Sequence, residues 1–256
     1  MKVVILAGGL GTRLSEETEA KPKPMVEIGG KPILWHIMQH YCRHGFKQFY
    51  VALGYKGEAI KRFFLEHRTL SGDLMVELAT GRSVVTSPAS DDWQVHLIDT
   101  GEATLTGGRV KRLERLVGDA PFMLTYGDGV SNIPLDKLLD FHKRGRRLAT
   151  VTAVRPPARF GGIEFEGDRV KGFIEKAQIH EGWINGGFMV FEPGVFKYLS
   201  GGDKAVLEVD LLERLAEDGQ LSAFRHEGFW QCMDTLRDKR YLEGLWETGN
   251  PPWKTW

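Results

Sequence analysis

The 256-residue sequence contains only two cysteines, Cys42 and Cys232, and they do not form a CxxC pair. Two cysteines are too few for a disulfide framework or for a zinc site built on thiolates. This scarcity is typical of a reducing compartment, and we therefore expect a cytoplasmic protein. The sequence also lacks any apolar stretch of the roughly 20 residues that a membrane span requires, so we expect no membrane partner.

An excess of charge of either sign is lacking too, because 34 Lys and Arg residues balance 34 Asp and Glu residues. Without a net positive charge there is no electrostatic reason to expect nucleic acid as a partner. The hydrophobic fraction of 42% and the charged fraction of 27% are those of an ordinary globular protein, which excludes a disordered chain. A chain of this length fits one large α/β domain or a domain with an appended lobe.

Short apolar runs alternate with amphipathic segments over the first half of the sequence. Residues 3–7 and 49–53 are apolar runs too short for helices, and they predict buried strands. Residues 33–42 and 58–65 space their apolar groups three or four apart and predict helices. The alternation predicts an α/β fold with a doubly wound, mostly parallel sheet and helices on both faces. Residues 166–168, between two apolar runs, predict a hairpin in a smaller β-containing part.

A glycine-rich turn at residues 8–11 directly follows the first predicted strand. Its glycines let the backbone approach a ligand closely, and its N–H groups can face an anion. The GxGxxG pattern fails because Leu14 stands where the third glycine belongs, and the Walker A pattern fails because Gly11 is followed by Thr12 and Arg13. A tight connection is an alternative interpretation, but the permanent charge of Arg13 suits phosphate oxygens and favours a phosphate site.

Two other segments carry candidate ligands. Prolines on either side of Lys23 oppose a helix and hold this lysine at a set distance from the glycine turn, although a solvated basic loop is an equal alternative. Asp128 stands between two glycines after the predicted strand 122–126, where open α/β sheets place their ligands. A carboxylate there can bind a hard cation such as Mg²⁺, although a plain Asp-Gly turn is an equal alternative.

In combination, the glycine turn with Arg13, the Lys-Pro-Lys-Pro segment and Asp128 between glycines resemble the sugar-nucleotide pyrophosphorylases, or sugar-1-phosphate nucleotidylyltransferases. The resemblance spans essentially the whole chain and implies a Rossmann-like fold. Further segments are similar to the glucose-1-phosphate cytidylyltransferase branch of that family, namely residues 27–36, 99–101, 106–109, 184–188, 230–235 and 252–256.

The resemblance implies a role for each matching residue. Arg13, Lys23 and Asp128 are expected to be catalytic, and Asp128 and Asp234 are expected to hold Mg²⁺. The expected nucleotide-binding residues are Leu6, Ala7, Gly8, Gly9, Leu10, Gly11, Thr12, Arg13, Lys23, Thr104 and Arg109.

The resemblance to the family is less complete at the sugar-phosphate site than at the nucleotide site. The expected contacts are Gly161, Glu175, Lys176, Asn185 and Gly186. Ala177 replaces the proline that follows the corresponding lysine in the family, which leaves the rigidity of that loop open. For Gly161, a hairpin turn is an equally good interpretation.

The implied division of the single domain 1–256 places nucleotide binding in roughly residues 1–130 and sugar binding in roughly residues 131–236. A C-terminal helix and tail, 237–256, complete the chain, and the tail is apolar enough that we expect it to pack on the body or on another subunit. The resemblance also implies a homo-oligomer, often a hexamer in the cytidylyltransferase branch.

The implied reaction is attack by an oxygen of glucose 1-phosphate on the α-phosphorus of CTP, which yields CDP-glucose and pyrophosphate as the first step toward CDP-deoxysugars for surface polysaccharide. Three alternatives stay open. The same chemistry could use UTP or dTTP. A glycosyltransferase would usually present Asp-x-Asp, whereas the motif here is Gly-Asp-Gly. A nucleotide-sensing module has little need for two acidic metal ligands.

Overall fold

The computed structural model of the chain describes residues 1–86, 91–156, 162–174 and 182–256. The strands are β1 (Lys2–Ala7), β2 (Glu27–Ile28), β3 (Lys31–Pro32), β4 (Gln48–Leu53), β5 (Asp73–Glu77), β6 (Arg82–Thr86), β7 (Gln94–Asp99), β8 (Phe122–Tyr126), β9 (Gly129–Ser131), β10 (Ala149–Val154), β11 (Gly162–Glu166), β12 (Arg169–Ile174), β13 (Ile184–Asn185), β14 (Met189–Phe191), β15 (Leu221–His226) and β16 (Trp230–Cys232).

The α-helices are α1 (Ser15–Thr18), α2 (Ile33–Arg43), α3 (Gly57–Leu70), α4 (Thr106–Arg112), α5 (Glu114–Val117), α6 (Leu135–Gly145), α7 (Arg214–Glu217) and α8 (Leu236–Glu247). A π-helix, Leu207–Glu213, precedes α7 directly. Short 3₁₀ helices occur at Thr12–Leu14, Lys23–Met25, Pro193–Lys197 and Gly202–Lys204. Within the described ranges, no helix combines the length and the apolar character that crossing a membrane requires.

The central sheet has eight strands, and its core is parallel. Strand β1 pairs in parallel with β4 on one side and with β8 on the other, and β4 pairs in parallel with β7. On the far side of β8 the direction changes, because β14 pairs antiparallel with β8 and with β10, and β15 then pairs in parallel with β10. The predicted doubly wound, mostly parallel sheet is confirmed.

Side chains that alternate along β1 enter two separate cores, one on each face of the sheet. Val3 and Ile5 pack with α2, whereas Val4 and Leu6 pack with residues of α4 and of the π-helix, such as Val110. Successive side chains of a strand point to opposite faces, so an all-apolar strand requires cover on both. This explains why β1 is uniformly apolar, and it confirms helices on both faces.

One strand of the antiparallel half is interrupted. Strands β13 and β14 both pair antiparallel with β10, and residues 186–188 separate them. Gly187 has a φ of 72° and Phe188 a φ of 42°, in the left-handed region that a phenylalanine rarely adopts. The Phe188 ring is buried and stacks on Tyr41 of α2 at a centroid distance of 5.8 Å. Core packing therefore holds this bend, and the bend directs Asn185 toward the carboxyl end of β8.

Smaller pairings complete the fold. The hairpin of β11 and β12 turns at Gly167 and Asp168, as the sequence predicts. The C-terminal tail packs on the body of the chain: Trp253 is 1% exposed, and its Nε1 donates a hydrogen bond of 3.4 Å to His36 Nδ1 on α2. Burial lowers the pKa of His36 to about 4, so its ring is neutral and can accept this bond at neutral pH.

Candidate active site

A pocket opens at the carboxyl ends of β1 and β8, where parallel sheets bind their ligands. It brings together nine of the eleven residues predicted to bind nucleotide, and it adds five residues that sequence reasoning missed. The nine are Leu6, Ala7, Gly8, Gly9, Gly11, Thr12, Lys23, Thr104 and Arg109, and the five are Pro24, Leu105, Thr106, Tyr126 and Gly127. Asp128 and Asp234 complete its lining.

Two predicted nucleotide ligands are not placed in the lining. Leu10 is 54% exposed and lies outside the pocket. Arg13 lies in the 3₁₀ helix Thr12–Leu14 next to the glycine turn, and its side chain is not among those that the structure describes. Leu10 is the one non-glycine residue of the turn at 8–11, and it is the one residue of that turn outside the pocket lining.

The glycine turn offers backbone donors to a ligand. No hydrogen bond to a described residue uses the N–H groups of Gly9, Leu10 and Gly11. Gly11 has a φ of 64°, which a residue with a side chain would rarely adopt. Its carbonyl accepts bonds of 3.0 Å from Leu14 N and from Thr18 Oγ1, so the turn is held from its C-terminal side. Amides without partners in such a turn form an anion site.

Arg109 lies next to the glycine turn, and its hydrogen bonds link the ends of three strands. The residue is 4% exposed, and its guanidinium donates to four carbonyl oxygens and one hydroxyl. Burial lowers the pKa of Arg109, although an arginine remains protonated at neutral pH. The acceptors follow β1, β4 and β7: Leu53 O at 2.8 Å, Thr100 Oγ1 at 2.7 Å, Gly101 O at 2.8 Å, Gly8 O at 3.0 Å and Glu102 O at 3.1 Å.

A short antiparallel ladder brings the two predicted metal ligands together, although 105 positions separate Asp128 from Asp234 in the chain. Strand β9 follows Asp128, strand β16 precedes Asp234, and Gly129 pairs with Cys232. Met233 N donates to Asp128 O at 2.8 Å and extends this ladder. The two carboxylates therefore emerge side by side at one end of the ladder.

Helix α8 holds Asp234 in place. Thr235 caps the helix in a capping box with Asp238, whose Oδ2 also accepts a bond of 3.1 Å from the Asp234 backbone N–H. Such a box satisfies N-terminal donors that would otherwise lack partners. The sequence Asp-Thr-x-x-Asp thus explains the precise placement of this carboxylate.

The Lys23 ammonium lies between these two carboxylates. Its Nζ is 2.6 Å from Asp128 Oδ2, and it forms a second, shorter ion pair with Asp234 Oδ1. Burial alone would lower the pKa of Lys23, but the charges and hydrogen bonds of Asp128 and Asp234 raise it above 10.5. The lysine is therefore charged, and the two aspartates already share one cation.

This geometry fits a divalent metal ion. Both carboxylates converge on one point, and carboxylate oxygens are the ligands that hard divalent cations select. Within the described residues, no group of three or more His, Cys, Asp or Glu side chains is arranged to hold a metal. A cation at this point would therefore need oxygen atoms from a ligand or from water to complete its coordination.

Cys232 lies close to the two aspartates, and its surroundings oppose formation of the thiolate. Burial and the nearby charges of Asp234 and Asp128 raise the pKa of this thiol to about 12. The reactive form of cysteine is the thiolate, which is negligible at neutral pH with such a pKa.

The predicted sugar-phosphate residues are placed only in part. Asn185 lies at the end of β13, where its Nδ2 donates to the Tyr126 hydroxyl at 3.4 Å, and Gly186 follows as the first residue of the bend. Gly161, Glu175 and Lys176 lie outside the described residues.

Tyr126, Thr106 and Glu208 form a hydrogen-bonded group that sequence reasoning missed. Tyr126 and Thr106 line the pocket, and Glu208 accepts a bond from each of them. Nothing in the local pattern singles out Glu208, because it stands in an apolar helical stretch far from both partners in the chain.

Comparison with known proteins identifies the family of this chain. The sequence model of the family described as nucleotidyl transferase matches residues 2–243. The chain is 51% identical to the glucose-1-phosphate cytidylyltransferase of Salmonella typhi and 42% identical to the probable glucose-1-phosphate cytidylyltransferase of Bacillus subtilis strain 168, over 100% of both chains in each case. Among solved structures, the HddC protein of Yersinia pseudotuberculosis complexed with GMP-PN superposes with a TM-score of 0.68 at 23% identity, over 96% of this chain and 99% of that one. The chain belongs to the nucleotidyl transferase family.

Proposed function

We propose that the chain transfers the cytidylyl group of CTP to glucose 1-phosphate and forms CDP-glucose and pyrophosphate. The observation that carries this proposal is the convergence of Lys23, Asp128 and Asp234 opposite the amide-lined glycine turn. Identity of 51% to a glucose-1-phosphate cytidylyltransferase along the full length supports the choice of both substrates.

The chemistry needs positioning and charge neutralisation more than a reactive side chain. Amides of the glycine turn would bind phosphate oxygens of CTP, and Lys23 would neutralise charge on the phosphoryl group as pyrophosphate leaves. We propose that Arg13 contributes a second positive charge at the same turn. Holding two anions in line and stabilising the developing charge are the main contributions to catalysis in phosphoryl transfer.

Members of this family generally use a divalent metal, and here we propose Mg²⁺ held by Asp128 and Asp234. When bound, Mg²⁺ would neutralise part of the negative charge of the phosphate groups. For the aspartates to accept it, Lys23 must leave the position between them. A triphosphate beside the glycine turn gives the ammonium another anion to pair with.

The sugar side and the setting of the enzyme are also part of the proposal. Asn185 and Gly186, together with Gly161, Glu175 and Lys176, would bind glucose 1-phosphate within residues 131–236. We propose a homo-oligomer that acts in the cytoplasm, in keeping with its two free cysteines, and supplies CDP-glucose for CDP-linked deoxysugars of surface polysaccharide.

Substrate choice can be tested directly with purified protein. Pyrophosphate release is measured with glucose 1-phosphate and Mg²⁺ in separate reactions containing CTP, UTP, dTTP or GTP. We expect the highest kcat/KM with CTP, and chromatography should show CDP-glucose as the product. Faster turnover with UTP or dTTP would reassign the base, whereas release of a nucleoside diphosphate from a nucleotide sugar would indicate a glycosyltransferase.

Two glycines provide a matched pair of variants. A Cβ added to Gly8 would lie 2.3 Å from the guanidinium carbon of Arg109, whereas a Cβ added to Gly244, an exposed residue of α8 outside the pocket lining, meets nothing within 4 Å. We expect Gly8→Ala to displace Arg109 and weaken CTP binding by about tenfold or more, because overpacking commonly costs 1–3 kcal/mol. Gly244→Ala should bind CTP within about twofold of the parent, since it adds no clash.

Isothermal titration calorimetry with CTP measures both affinities. Equal affinities for the two variants would show that the position of Arg109 does not determine nucleotide binding.

A further inference from the structure

Glu208 joins the nucleotide side of the pocket to the sugar side. It lies in the π-helix Leu207–Glu213, a rare conformation that recurs at functional sites. Its Oε1 accepts a hydrogen bond of 2.6 Å from the Tyr126 hydroxyl, and its Oε2 accepts one of 3.1 Å from Thr106 Oγ1. One carboxylate therefore orients two hydroxyl groups that line the pocket.

On the sugar side, Glu208 determines the hydrogen-bonding role of the Tyr126 hydroxyl. Because the hydroxyl proton is donated to Glu208, the phenol oxygen is left to accept a bond from Asn185 Nδ2, at 3.4 Å. Asn185 Oδ1 in turn accepts a bond of 3.0 Å from Gly187 N. The orientation of the Asn185 amide thus depends on the Gly187 N–H at its oxygen and, through Tyr126, on the carboxylate at its nitrogen.

On the nucleotide side, Glu208 and its helix hold the start of α4. Thr106 is the first residue of α4, and its Oγ1 also accepts a bond of 2.9 Å from Leu207 N. Arg109, which fastens the glycine turn, lies one helical turn further along α4. This side already has a second attachment, because Leu105 N donates to Asp203 O at 2.8 Å. On the sugar side, by contrast, the hydrogen bond that the Asn185 amide nitrogen donates goes to the hydroxyl that Glu208 orients.

We propose that Glu208 is a positioning residue for the sugar-phosphate substrate, acting through the Tyr126 hydroxyl to orient the exposed amide of Asn185. The proposal rests on the function given above. A carboxylate accepts bonds at both oxygens, whereas a glutamine accepts at one and donates at the other. Glu208→Gln must therefore change one of the two hydroxyls from a hydrogen-bond donor into an acceptor, at nearly constant side-chain volume.

Steady-state kinetics of Glu208→Gln provide the test, with Glu213→Gln as the matched control. Glu213 lies in the same π-helix, and its side chain is exposed. For Glu208→Gln we expect the KM for glucose 1-phosphate to rise about tenfold, as when a hydrogen bond to a charged group is lost, while the KM for CTP stays within about twofold. Glu213→Gln should match the parent in both constants. Equal increases in both KM values for Glu208→Gln, or no change in either, would overturn the proposal.

A double-mutant cycle separates positioning from general loosening. Tyr126→Phe removes the acceptor for Asn185, so Glu208→Gln should add no further increase in the glucose 1-phosphate KM on that background. Independent, additive increases would contradict action through Tyr126. Thermal unfolding of each variant checks that the fold is retained.

Failure of the proposed function would be recognised separately. If the parent protein prefers another nucleoside triphosphate, the same KM comparison is made with that nucleotide. If it turns over none, a crystal structure of Glu208→Gln decides: a rotated Asn185 amide supports the positioning role, and an unchanged amide removes it.

Discussion

Replacing Lys23 with methionine should lower kcat/KM by at least about 10²-fold and, at the same time, create a divalent-cation site that is open without nucleotide. The loss of activity follows from removing a preorganised positive charge from the phosphoryl group. The gain in metal affinity follows from the arrangement without nucleotide, in which the Lys23 ammonium contacts both Asp128 and Asp234. Methionine has similar length but no charge, so the two carboxylates would be left to repel each other until a cation binds.

Mn²⁺ binding in the absence of nucleotide, followed by electron paramagnetic resonance, measures this gain. Lys21→Met is the matched control, because Lys21 pairs with Glu27 at 3.1 Å and has no part in the aspartate pair. The parent and the control should bind Mn²⁺ weakly until CTP is added, whereas Lys23→Met should bind it without CTP. Identical Mn²⁺ affinities for Lys23→Met and the parent would show that the lysine does not compete with the metal.

Replacing Asp128 with asparagine should reduce Mg²⁺-dependent turnover by about 10³-fold, since a bound metal commonly contributes several kcal/mol to stabilising transition-state charge. The change keeps the shape of the side chain but removes one of two carboxylates that meet at Lys23. The fold should survive, because Asp128 joins the β9–β16 ladder through its backbone carbonyl.

Initial rates over a range of Mg²⁺ concentrations, together with thermal unfolding, check this expectation. Asp119→Asn is a suitable control, as Asp119 is an exposed carboxylate just before β8. A near-normal rate for Asp128→Asn would remove this residue from the metal site. A much lower unfolding temperature would instead give Asp128 a structural role.

The alternation of elements in the first half was predictable because it depends on local pattern. Strands β1 and β4 and helix α2 appear within a residue or two of their expected bounds, since a buried strand and an amphipathic helix require different apolar spacings. Residues 73–86 carry no such pattern. Strands β5 and β6 form a largely exposed hairpin, which has no buried face to impose a periodic pattern.

The leucine-rich segment 205–215 shows where local pattern is insufficient. Its leucines predict a helical face correctly, but seven residues of it, Leu207–Glu213, form a π-helix. A spacing of four residues between apolar groups does not distinguish one helical form from the other. Glu208 lies in this π-helix and accepts hydrogen bonds from Tyr126 and Thr106, which are far from it in the chain.

The sequence by itself determined the local features of this protein. These are the strands of the parallel sheet, the glycine turn at a strand end, and a lysine and an aspartate in segments that resemble one family. These are local features, each set by neighbours within a few residues. Only the tertiary structure decided that Lys23 lies between Asp128 and Asp234, that Arg109 fastens three strand ends, and that Glu208 orients Tyr126. Those contacts join residues far apart in the chain, and their geometry depends on how the strands and helices pack.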